Sequence, residues 1–139
     1  MLAGTAIALP VCADTAPIPN QYAFDQPELL ADQLVWGVAH GVQLLGRRCA
    51  QSGQREAAQA WLSWQEREAG IIHAMHERLA HYYFRQSEVE PGTVAKAIGL
   101  KAQLDLADEE LEATCATLAE ALQHSRYDLS GRRAALLKP

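Results

Sequence analysis

The sequence predicts an all-α domain: an antiparallel up-and-down bundle of about four main helices with a short C-terminal helix. Three observations carry that expectation. Apolar residues recur at intervals of three and four from Gln26 to Gln51 and again from Gln54 to Gln86, a spacing that gathers them on one helical face. Ser52-Gly53 separates the two runs, and a glycine there supplies the left-handed residue that ends a helix. No segment alternates apolar and polar residues as a strand would.

The first helix begins at Asp25-Gln26-Pro27-Glu28, where Asp25 can cap, Pro27 fits the first turn and Glu28 stands at the capping-box position. Its expected stripe is Leu30, Leu34, Val38, Val42, Leu45 and Cys49. Gly37 and Gly41 lie on a neighbouring face. Each costs about 1 kcal/mol inside a helix, so they are expected to admit a second helix closely or, less readily, to border a ligand groove.

The second helix carries the stripe Ala57, Trp61, Trp64, Ile71 or Ile72, Met75, Leu79 and Tyr82, with Gly70 as the natural place for a bend or break. Glu68 interrupts that stripe. A buried carboxylate needs a partner, and His40, Arg47 or Arg48 on the antiparallel helix would be within reach. Beyond Pro91-Gly92, a breaker, Thr93 can cap a third helix to about Ala102. Asp108 can cap a fourth, bearing Leu111, Cys115, Leu118, Ala119 and Leu122 on one face. Ser130 opens the last helix, from which Ala134, Leu136 and Leu137 are expected to dock.

A chain of 139 residues suits one hydrophobic core. Residues 1–13 hold no charge, and Leu2 to Val11 has the length of a signal-peptide core, too short to span a bilayer. Cleavage after Val11-Cys12-Ala13 would remove Cys12 and leave Cys49 and Cys115, an even pair expected to form a disulfide in an oxidising compartment. The reading is therefore a signal-peptide remnant over 1–13, an extended lead-in over 14–25 and a bundle over 26–139, in a periplasmic or secreted protein. Two buried thiols that never meet is the alternative for the cysteines.

The net charge of −5, with both signs interspersed, excludes a nucleic-acid footprint. The pairs Arg47-Arg48 and Arg132-Arg133 are too short for a polybasic patch. The segment His73-Ala-Met75-His76-Glu77-Arg-Leu-Ala-His81 invites a zinc reading, but five residues turn a helix by about 500°, leaving His76 and His81 about 140° apart. A zinc-protease pair needs a four-residue spacing. What survives is a weaker set, His73, Glu77 and His81 with His40 from the first helix, suited to zinc, copper or nickel. Against it stands a solvated helix face with local pairs.

Tyr82, Tyr83 and Phe84 are consecutive aromatics that cannot all face one core. At least one is expected to meet solvent or a partner, and Glu68 is included among the contact candidates. No nucleophile stands beside a base at a useful spacing, and there is no phosphate loop. The expectation is a non-enzymatic binding protein whose partner is another protein, a second copy included, or a small ligand. A metal-binding or metal-sensing protein is the alternative.

Overall fold

The computed structural model describes residues 16–139, which contain helices and turns but no strand. The expected signal segment, residues 1–13, lies outside the described residues, as does Asp14. The elements are α1 (Pro27–Gln51), α2 (Arg55–Phe84), α3 (Pro91–Ile98), α4 (Asp108–Ala121), a single 3-10 turn (Ser125–Tyr127) and α5 (Leu129–Leu137). No helix among the described residues is long and apolar enough to cross a membrane.

The hairpin of α1 and α2 is the frame. Ser52 and Gly53 turn the chain, with Ser52 Oγ donating to the Cys49 carbonyl at 3.0 Å. Gly53 adopts φ +78°, a conformation open to glycine at little cost. The two helices run antiparallel, since Gln43 meets Trp61 and Gln65 while Asp32 meets Arg78. The 30 residues of α2 are unbroken, about 45 Å at the usual rise. Gly70 therefore does not break it: the packed residues on either side, Trp64, Glu68, Met75 and Leu79, hold one continuous helix.

The core face of α1 keeps Val42 and Cys49 of the expected stripe, with Val38 and Leu45 packed against it, but is turned near its start. Ala31, Val35, Ala39, Val42 and Cys49 are buried, whereas Leu34 is 42% exposed. The cause is polar. Asp32 and Gln33 are both buried, and each finds partners elsewhere. Gln33 Oε1 accepts from the Ala23 amide at 2.8 Å, and its Nε2 donates to Tyr83 Oη at 2.8 Å. The lead-in is thus docked, with Ala23 only 3% exposed and the Asn20 amide donating to the Ala97 carbonyl. Asp25 does not cap, because Gln26 occupies that position without a side-chain bond.

Gly37 and Gly41 are not the close-packing site. A methyl group at Gly41 would meet nothing within 4 Å, while one at Gly46 would fall 2.2 Å from Trp61 Cγ. The tight approach of α1 and α2 is therefore Gly46 under the Trp61 ring.

The remaining elements fasten to this hairpin. Cys49 and Cys115 form a disulfide, their Cα atoms 5.6 Å apart, tying the end of α1 to α4. Arg67 Nη2 donates to the Leu122 carbonyl at 3.1 Å, and Trp64 Nε1 to the Tyr127 carbonyl at 3.0 Å. Asp128 caps α5, accepting from the Gly131 amide. That helix docks through Leu129, which is fully buried, while Leu136 stays 47% exposed. Pro91 opens α3 at its first turn rather than preceding it, since its missing N–H would be unpaired there anyway. Gly99 closes α3 at φ +90°. Ala107, not Asp108, is the α4 cap residue.

Candidate functional site

Helices α1, α2 and α3 border a cavity of about 920 Å³ that is open to solvent on one side. Its origin is legible in the helical spacing. From α1, Trp36, Ala39, His40, Gln43 and Arg47 fall on one face, and from α2, Gln65, Ala69, Ile72, His73 and His76 do the same. Ala39, Ala69 and Ala95 of α3 sit in the wall, where longer side chains would fill the space. Small residues line it from every helix, Ala39 on α1, Ala69 on α2, and Gly92 and Ala95 on α3.

Trp36 forms the inner wall at 4% exposure. Its indole stacks on His40 with centroids 5.9 Å apart and lies 6.2 Å from the His76 ring. His40 Nε2 donates to the Lys101 carbonyl at 2.6 Å; because a carbonyl only accepts, the proton is placed on Nε2. Trp36 Nε1 and His76 Nε2 are buried and have no protein partner. Buried donors and acceptors are nearly always paired, and an unmade bond costs about 1–3 kcal/mol. Both atoms are closed to the cavity as well, so they are unmade bonds inside the packing of α1 and α2.

The charge of the wall departs from that of the chain. The sequence has 17 Asp and Glu against 12 Lys and Arg, yet the lining includes Arg47 and Lys96 and no carboxylate. Neither cation pairs with a described acid. The adjoining acid is Glu77, which pairs with His73 at 3.2 Å as exposed neighbours on α2.

The structure divides the metal set expected from sequence. His40 and His73 line the cavity, Glu77 faces His73, and His81 does not line it. Among the described residues no three His, Cys, Asp or Glu side chains gather as a metal-holding group. A second, shallower hollow of about 400 Å³ adjoins, bordered by Gly37, Gly41 and the 100–106 loop, so the glycine pair does border a groove.

The aromatic end of α2 is also divided. Tyr83 is 4% exposed and bonded to Gln33, so it belongs to the core and is withdrawn from any partner surface; burial raises its phenol pKa. Tyr82 is half-buried, and Phe84 is 37% exposed. Glu68 is 4% exposed and meets Arg67 Nε at 3.3 Å, not His40, Arg47 or Arg48. Its partner is the next residue because Arg67 folds back toward α4. Glu68 lines neither hollow.

Sequence reasoning missed Trp36, His76, Gln43 and Lys96 as neighbours in one wall. The available signal was the shared small-residue register of Ala39, Ala69 and Ala95, which promises a gap rather than a contact. No protein-family model, curated protein or solved structure matches this chain.

Proposed function

We propose that this chain is a small exported, non-catalytic protein that binds a small ligand between α1, α2 and α3. The observation that carries the reading is the cavity of about 920 Å³, with Trp36, Ala39, Ile72 and Leu100 among its lining residues. Ligand sites are typically about 300–1,000 Å³, mostly apolar, with a few well-placed polar groups. Leu44, Ile72 and Leu100 supply the apolar surface here, and Gln43 and Gln65 add polar groups at the side. The Cys49–Cys115 bridge supports an oxidising, periplasmic or secreted location. We read the helix packing as an up-and-down bundle, which the antiparallel α1–α2 pairing and the placement of α4 on that hairpin support.

A protein partner, including a second copy, is the second reading. It is favoured by Phe84 at 37% and Phe24 at 79% exposure near the same end of the hairpin. Binding of a transition metal has less support, since His40 Nε2 already donates to Lys101.

Calorimetric titration with bicyclic aromatic probes tests the ligand reading, using 1-naphthoate, 1-naphthalenemethanol and 1-naphthylmethylammonium. Saturable binding of at least one probe at a one-to-one ratio is expected, and Ala69→Trp, which places an indole in the void from the exposed side of α2, should abolish it. Absence of binding by all three probes would overturn the reading.

A further inference from the structure

We propose that the ligand carries a neutral amide, its carbonyl accepting from Gln43 and its N–H donating to Gln65. The inference rests on the cavity being a binding site and adds the chemical group that the site reads. It starts from two side-chain amides whose orientations are fixed by a third residue.

Gln43 on α1 and Gln65 on α2 both line the cavity. Trp61 precedes Gln65 by one helical turn, so the two side chains share a face of α2 and both reach Gln43. The Trp61 indole N–H can only donate, and it donates to Gln43 Oε1 at 2.9 Å. That contact decides which end of the Gln43 amide is oxygen. Gln65 Nε2 donates to the same oxygen, which decides the Gln65 amide in turn, since the reverse setting would bring two oxygens together. Trp61 is itself held close to α1 at Gly46, where a methyl group would fall 2.2 Å from its Cγ. The three residues form one directed chain, in which donor and acceptor cannot be exchanged.

What this chain leaves unused is one donor and one acceptor. Gln43 Nε2 and Gln65 Oε1 have no bonding partner among the described residues. Both belong to half-buried side chains yet remain accessible, in contrast to Trp36 Nε1 and His76 Nε2, which are closed off. A ligand that covers them has to return both bonds, because a desolvated polar group left unmatched weakens binding. A carboxylate offers no donor and an ammonium no acceptor. A hydroxyl must serve both from one atom. An amide carries its acceptor and donor on two adjacent atoms, matching groups that sit on two side chains.

The rest of the ligand follows from the neighbours of the pair. Ala39, one turn before Gln43, and Ala69, one turn after Gln65, also line the cavity, so the amide is joined to an apolar body. Arg47 and Lys96 are exposed and keep their hydration, so they call for no anion.

The test compares near-isosteres on the naphthalene ring system. 1-Naphthamide has both acceptor and donor, and 1-acetylnaphthalene has a methyl group in place of the amide nitrogen. In calorimetric titration 1-naphthamide should bind at least about tenfold more tightly than the ketone, 1-naphthoate or 1-naphthalenemethanol. The Gln43 side-chain N–H resonances, assigned by their loss in Gln43→Glu, should shift with 1-naphthamide. Gln65→Leu removes the acceptor and leaves the Trp61 bond to Gln43 in place, so it should bring 1-naphthamide down to the affinity of the ketone. A preference that survives Gln65→Leu overturns the amide class, as does a ketone, alcohol or carboxylate that binds as tightly as 1-naphthamide. In either case the cavity stands as a binding site when Ala69→Trp abolishes the binding. If no probe binds, or binding survives Ala69→Trp, both are overturned.

Discussion

Arg133 Nε in the last helix lies 2.7 Å from Oδ1 of Asp32 in the first, across a separation of 101 residues. The same carboxylate receives two bonds from Arg78, at 2.7 and 2.9 Å. Asp32 is fully buried, and its hydrogen bond raises the Arg78 pKa further. One charge thereby joins α1, α2 and α5. Removing the acid leaves two guanidinium groups facing each other over a desolvated site, so Asp32→Asn should destabilise by about 3–5 kcal/mol. Arg133→Gln leaves the two-bond Arg78 contact and should cost less, about 1–2 kcal/mol. Urea unfolding measures both, and limited proteolysis of the second variant should cut within α5 first.

Two glycines of α1 should respond oppositely to the same substitution. Gly41→Ala adds a methyl group where nothing lies within 4 Å, so better helix propensity should stabilise by about 0.4–1 kcal/mol. Gly46→Ala drives that methyl group into the root of the Trp61 ring, 2.2 Å from Cγ. The ring cannot withdraw without losing the bond from Nε1 to Gln43 at 2.9 Å, and overpacking should cost about 1–3 kcal/mol. Thermal unfolding of the two variants should shift in opposite directions.

The Cys49–Cys115 bridge closes a separation of 66 residues. Constraint of so long a loop in the unfolded chain is worth about 4 kcal/mol. The double variant Cys49→Ser with Cys115→Ser should lose stability on that order in denaturant titration, and peptides bearing Cys49 and Cys115 should carry no alkylating agent unless the protein is first reduced.

Tyr83 sets an alkaline limit. Burial raises its pKa above the ordinary phenol value of about 10, so the folded chain holds this proton more tightly than the unfolded chain does. That contribution is complete below about pH 10 and is lost as pH rises through the folded pKa. Stability should therefore fall above about pH 10, more steeply than in Tyr83→Phe. Of the four tyrosines, one should ionise late in absorbance titration, together with unfolding.

What sequence could show was decided by range. The cysteine pair was legible only with Cys12 set aside in a leader, whereas α2 was legible directly from its tryptophan, isoleucine and methionine spacing. Asp32 and Gln33 were illegible as core residues, since their partners Arg78, Arg133 and Tyr83 lie 46 to 101 positions away. With those two turned inward, Leu34 had to turn outward, and the expected stripe shifted near the start of the helix. Pro91 predicts a break in sequence, although proline equally suits the first turn of a helix, where the structure places it. The site was hidden for another reason: periodicity marks where side chains meet, whereas this site lies where alanines fail to meet.

The fastening of the helices is unequal, and that has a dynamic consequence. A covalent bridge holds α4, and ion pairs to a buried acid hold α5. For α3 the ties are a hydrogen bond from the Asn20 amide to the Ala97 carbonyl and the apolar packing of its buried residues, with Leu100 resting against Gly37. Such a segment opens at lower free energy than the whole. Amide protons of α3 should exchange with deuterium ahead of those in α1, α2 and α4, and a bound guest should slow them selectively. The wall of the chamber that yields first is thus its shortest, so a guest can come and go at the rate of one brief helix lifting, while the cross-linked remainder stays assembled.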